Sequence, residues 1–154
     1  MVQFINTDKC YDDSLFTSYA DIISKYEKPL YALAFSHVLN REAAFEILQE
    51  TFVLFYPMWI KSKNEKSFLP KLYRTCRHIY RKYPVSKKNS VKNTSYNALC
   101  SLPEKYRRVM FLKDMFLCDN HEISEMLGIS EKVTKQLVFS GRNALIDILS
   151  NADL

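Results

Sequence analysis

Glycine occurs only twice in this chain of 154 residues, at Gly128 and Gly141. Tight hairpin turns depend on residues that accept positive φ, so this scarcity argues against a hairpin-rich sheet and predicts an all-α protein. No run of about 18 apolar residues is present, which leaves no segment for membrane insertion. The opening stretch Met1-Val2-Gln3-Phe4-Ile5-Asn6 has neither a basic start nor a long apolar core. It therefore predicts no signal peptide and a cytoplasmic location. Cys10, Cys76, Cys100 and Cys118 are scattered without a Cys-x-x-Cys pair, and free thiols are expected rather than disulfides. His37, His78 and His121 lie too far apart in sequence to suggest a metal site. A glycine-rich phosphate loop, a plausible carboxylate pair and a Ser/His/Asp arrangement are also missing. The sequence thus predicts no enzyme, no cofactor and no small-molecule substrate.

What is abundant is positive charge in one place. The net +5 conceals three blocks. Residues 1–60 carry four basic and eight acidic side chains, a balance of −4. Residues 61–100 carry eleven basic side chains against Glu65 alone, a balance of +10, and residues 101–154 carry seven against eight, a balance of −1. So basic a block in the middle of a chain points to a polyanion, with nucleic acid the first candidate.

Apolar periodicity predicts helices over 14–26, 29–39, 42–59 and 67–83. They are followed by a polar, lysine-bearing linker over 84–100 and by helices over 103–115, 121–127 and 130–139, the last continuing to 149. The second opens at Pro29. Two small helical domains result, 1–83 and 101–154, joined by a flexible linker.

In the third expected helix, Phe45, Leu48, Phe52 and Phe55 form a stripe assigned to the core, while Glu42, Glu46, Gln49 and Glu50 occupy another side. In the fourth, Phe68, Leu72, Cys76, Ile79 and Tyr83 face inward. Lys71, Arg74, His78, Arg81 and Lys82 lie opposite with Arg77 nearby, and no glutamate dilutes them. Cations at every turn match the spacing of phosphates or base edges, and Tyr73 and Tyr80 flank this face as stacking platforms for unpaired bases. Further on, the run from Asn120 to Leu137 reads as helix, turn, helix. Gly128 permits the bend and Ser130 caps the second helix.

These segments resemble the bacterial sigma factors of the extracytoplasmic-function (ECF) type, in the sigma-70 family. Arg41-Glu42-Ala43-Ala44-Phe45-Glu46-Ile47-Leu48-Gln49-Glu50-Thr51-Phe52 is similar to the family's conserved region 2 helix, which ends in Gln-Glu-x-Phe. Phe68-Leu69-Pro70-Lys71-Leu72-Tyr73-Arg74-Thr75-Cys76-Arg77-His78 is similar to its promoter-opening helix. Leu102-Pro103-Glu104-Lys105-Tyr106-Arg107-Arg108-Val109-Met110 resembles the start of conserved region 4, and 122–135 its helix-turn-helix. In this sequence Lys71 stands where the family usually has Trp, and His78 where it has Asn. The reading helix continues Gln136-Leu137-Val138-Phe139-Ser140 where relatives usually carry Arg or His.

The resemblance implies a transcription initiation factor that binds RNA polymerase core through Glu46, Gln49 and Glu50. It implies contact with the promoter −10 element through Lys63, Asn64, Lys71, Tyr73, Arg74, Arg77, His78, Arg81 and Lys82. Contact with the −35 element would come from Ser130, Lys132, Lys135, Gln136, Phe139 and Arg142. An anti-sigma factor is the implied regulatory partner. A stand-alone helix-turn-helix DNA-binding regulator, or a degenerate sigma-like interaction protein, are the alternatives that the residues leave open.

Overall fold

The structure, a computed structural model, describes residues 13–62, 65–86 and 94–152. Among these residues it contains seven α-helices, one π-helical turn and no strand. Three long helices, α1 (Asp13–Val38), α2 (Arg41–Ser62) and α3 (Glu65–Tyr80), form the first bundle. Pro29, expected to divide the first helix, lies inside an unbroken α1. A proline there removes one backbone donor. Leu30 and Leu33, both fully buried on either side of the next turn, hold the two halves in line. The turn into α2 is short. Leu39 takes φ 55° and donates to the Phe35 carbonyl, and the Asn40 side chain caps α2 by accepting from the Ala43 amide at 2.9 Å.

The core of this bundle is the interior that the 3.6-residue period predicts: Leu33, Ile47, Phe52, Phe55, Phe68, Leu72, Cys76 and Ile79 are all buried. Phe45 differs. Assigned to the core stripe by its spacing, it is 44% exposed and leans on Tyr31 at a ring separation of 4.9 Å. Buried hydroxyls find local partners, Ser36 on the Leu33 carbonyl and Thr51 on the Ile47 carbonyl.

The second bundle starts earlier than expected. Thr94–Ser101 is a helix, α4, inside the stretch read as linker, and it seats Ala98 and Leu99 in the core. Helix α5 (Glu104–Met110) runs into the π-helical turn Phe111–Met115, where the Phe116 amide reaches back five residues to the Phe111 carbonyl. Helices α6 (Asn120–Leu127) and α7 (Glu131–Ala152) complete it. The turn between them follows the expected chemistry, with Gly128 at φ 68° and Ser130 Oγ accepting from the Val133 amide at 3.1 Å. Asp119 and Glu122 close a reciprocal capping box at the start of α6.

The two bundles share one continuous hydrophobic interior. Phe35 of α1 meets Phe111 and Phe116 edge-on at 6.0 and 6.1 Å. The Lys87, Lys88 and Lys92 of the expected linker lie outside the described residues. No helix among the described residues is long and apolar enough to cross a membrane.

Gly141 sets the α5–α7 spacing, because a Cβ there would sit 2.9 Å from Met110 Cγ. Gly141→Val is expected to destabilise the fold by about 1–3 kcal/mol through overpacking, read as a lower urea midpoint with unchanged slope.

Candidate nucleic-acid interface

Helix α3 presents three faces, of which one enters its own bundle core. A second is open to solvent and carries Lys71, Arg74 and His78, continued by Arg81 and Lys82 in the turn that follows Tyr80. With no acidic residue among them, this face is a positive stripe able to track phosphates. Lys63 and Asn64, expected to join it from the preceding loop, lie outside the described residues.

The third face is covered by the second bundle. Tyr73 is only 5% exposed and Tyr80 fully buried, so the two tyrosines expected to flank the basic face as stacking platforms lie instead under α5 and α6. Burial, followed by the Glu125 carboxylate, pushes the Tyr73 phenol above its usual range. Arg77 is half-buried, and its Nη1 donates to the Met126 carbonyl at 2.6 Å. That carbonyl belongs to the last turn of α6, where backbone acceptors lack helical partners and the helix dipole favours a cation. Arg108 Nη1 donates to the Tyr80 hydroxyl at 2.9 Å, and Arg107 Nη2 donates to the His37 carbonyl at 3.2 Å.

His37 sits at the centre of this seam. Its ring stacks on Tyr80 at 4.2 Å and 10°, and its Nδ1 stands 3.5 Å from Glu104 without forming a hydrogen bond. Burial first, then the nearby Arg108, hold its pKa down at about 4, so the imidazole is neutral at pH 7.

On α2, Glu46 and Gln49 are exposed, while Glu50 is half-buried and accepts from the Tyr83 hydroxyl at 3.3 Å. Helical spacing puts Val53 (57% exposed) and Ile60 (36% exposed) in line with Glu46 and Gln49, and Leu54 (48% exposed) lies beside them. These apolar neighbours were missed in the sequence, although Phe52-Val53-Leu54-Phe55 was a sign: four consecutive apolar residues cannot all face one core. The result is a mixed surface with an apolar centre and acidic edge, the composition of a protein-docking face.

In the helix-turn-helix, Thr134 and Val138 of α7 are buried, and the Thr134 hydroxyl is satisfied by the Ser130 carbonyl at 3.0 Å. Ser130, Lys132, Lys135, Gln136, Phe139 and Arg142 are all exposed. Lys132, Lys135, Gln136, Phe139 and Arg142 therefore share one open face of α7, while Ser130 lies in the turn before it. His121 bridges the two helices of the motif, with Glu131 at 2.8 Å and Glu125 at 3.3 Å. The Glu131 hydrogen bond raises its pKa. Cys76, Cys100 and Cys118 are free, and burial pushes the Cys76 thiol up to about 12. No group of three His, Cys, Asp or Glu among the described residues is placed to hold a metal.

Comparison with known proteins agrees with this geometry. Residues 96–145 match the family model for sigma-70 region 4. The fold is similar to that of CnrH, in a structure of CnrH in complex with the cytosolic domain of CnrY. The TM-score is 0.70 at 17% identity, over 88% of this chain and 90% of that one. No curated protein matches the chain in sequence. Residues 96–145 are thus similar to sigma-70 region 4, and the two-bundle fold as a whole is similar to that of CnrH.

Acid is expected to weaken the seam. A histidine whose packed-state pKa is depressed contributes stability above its unfolded value near 6.5, and that contribution falls away as pH drops toward about 4. Glu104, Arg81, Arg107 and Arg108 surround it, so the added proton meets mostly like charge. Between pH 6.5 and 4.5 the distance between fluorophores on the two bundles should lengthen in the native chain. In His37→Phe, which keeps the stack on Tyr80 without a titrating group, the change should be much smaller.

Proposed function

We propose that the protein is an alternative sigma factor, which binds RNA polymerase core and directs it to promoters. The observation that carries this reading is a region 4 helix-turn-helix with an open face, on the same chain as a helix whose solvent face bears Lys71 and Arg74 and runs on to Arg81 and Lys82. The first bundle docks on polymerase through the α2 face of Glu46, Gln49 and Glu50, with Val53 supplying the apolar contact at its centre. The α3 face engages the −10 element through Lys71, Arg74, His78, Arg81 and Lys82. Phosphate contacts there give salt-dependent affinity. The α7 face of Lys132, Lys135, Gln136, Phe139 and Arg142 enters the major groove of the −35 element, with Ser130 at the turn before it. The family is not enzymatic, and the chain acts by binding and positioning.

Tyr73 and Arg77 join the −10 contacts only after the bundles part, since both are covered in the packed arrangement. An anti-sigma partner that holds the bundles together would keep the factor silent. The similarity to CnrH, whose structure is of a complex with the cytosolic domain of CnrY, supports a protein partner of this kind. The working boundaries are 1–83 for the polymerase and −10 domain and 94–154 for the −35 domain.

Two experiments test the assignments. Purified chain should co-elute with sigma-free RNA polymerase core on a sizing column, and Gln49→Ala with Glu50→Ala should weaken that association with the fold unchanged. Unaltered affinity would remove the α2 face from the docking surface. Arg74→Ala with Arg81→Ala should abolish promoter opening, read by permanganate reactivity of unpaired thymines, while polymerase binding stays near wild type. Equal loss of both activities would overturn the α3 assignment.

A further inference from the structure

The exposed face of α7 is divided by side-chain chemistry. Helical spacing sets Lys135 and Arg142 along one edge and Gln136 and Asn143 along the other, with Lys132 and Phe139 down the middle. All six are exposed. Phe139 is 70% exposed, although Val138 beside it in sequence is buried. A phenyl ring held in water gains nothing by folding, and here it lies among three cations, on the face that a polyanion would approach. Within a DNA major groove the apolar feature that such a ring can meet is the thymine 5-methyl group, and the side-chain amide of glutamine pairs its donor and acceptor with adenine N6 and N7.

We propose that α7 reads adjacent A·T base pairs, one through the Gln136 amide and adenine, the next through Phe139 and a thymine methyl. This rests on the assignment of α7 to the −35 element and specifies what it selects there. Residues 136 and 139 are separated by about 4.5 Å along the helix axis, close to the ~3.4 Å step between base pairs, so they address neighbouring positions. Lys135 and Arg142 lie about 10.5 Å apart on the other edge, a spacing that follows the phosphates of one strand. Guanine selection by a bidentate arginine has no side chain at 136 or 139 to perform it.

The test uses the full chain assembled with RNA polymerase core and a pool of promoter duplexes randomised in the upstream element. Selected duplexes should carry an A·T pair next to a T·A pair within the α7 footprint. Replacing the thymine there with uracil removes only the methyl group and should weaken binding about fourfold, the equivalent of one buried methylene. Phe139→Ala should no longer distinguish thymine from uracil. Gln136→Arg should move the preferred base at its position from adenine to guanine. Enriched upstream sequences with G·C at both positions, or wild-type binding indifferent to uracil, would overturn the base assignment while leaving α7 as the reading helix. No upstream enrichment at all would overturn both.

Discussion

Of the hydrogen bonds described across the seam between the two halves of this molecule, the shortest runs from Arg77 of α3 to the Met126 carbonyl at the end of α6, at 2.6 Å. It exists because Gly128 ends α6 in the left-handed conformation, leaving the last carbonyls open and the approach clear. A Cβ on residue 128 would stand 2.8 Å from Arg77 Nη2. The glycine that makes the turn of the helix-turn-helix thus also admits the arginine that fastens it to the neighbouring bundle. Burial pulls the Arg77 guanidinium below its ordinary pKa without neutralising it. A half-buried cation of this kind is held by the negative end of a helix dipole and a strong acceptor, and is costly to strand without them.

The remainder of the seam has the character of an interface that can open. Its centre is aromatic, with Phe35, Phe111 and Phe116 meeting edge to face, and its margin is polar, with Arg107 and Arg108 bonded to partners on α1 and α3. Interfaces between domains of one chain commonly combine a modest apolar centre with polar margins, and relative motion is their ordinary behaviour. Arg74 and Arg77 illustrate the division. Three residues apart on one helix, the first projects into solvent and the second lies under another bundle. On the proposed function, such a helix serves both the closed molecule and the DNA-bound one.

How far the sequence reached followed from the range of the forces involved. Local terms were legible: the 3.6-residue period found the long helices, and Gly128 and Ser130 took their expected places in the turn. Where tertiary packing outweighs a local rule, the reading failed. Pro29 looked like a boundary, yet buried leucines carry α1 through it. Helix α4 was hidden in apparent linker because an eight-residue helix shows few apolar anchors, here chiefly Ala98 and Leu99. Phe45 had core spacing and lies at the surface. The burial of Tyr73 and Tyr80 under the second bundle depends on contacts between residues far apart in the chain, which periodicity cannot report. The exposure of Lys71, Arg74, Arg81 and Phe139 was therefore legible, and the covering of Tyr73, Arg77 and Tyr80 was not.

On the proposed function, the uneven charge of the chain follows from joining two DNA-binding faces in one molecule. Were α7 to act alone, three cations would give only weak electrostatic affinity. Tethered to a first domain anchored by the cationic face of α3, it binds at high effective concentration, and its own contacts need only discriminate. Electrostatic affinity can then be concentrated in residues 61–100, with a balance of +10, while the helix-turn-helix domain stays near neutral and gives its central surface to Gln136 and Phe139. A near-neutral second domain is also easier to pack against the first, since a strongly basic one would meet like charge from Arg74, Arg77 and Arg81 across the seam. In the proposed reading, the same distribution of charge thus serves the closed molecule and the promoter-bound one.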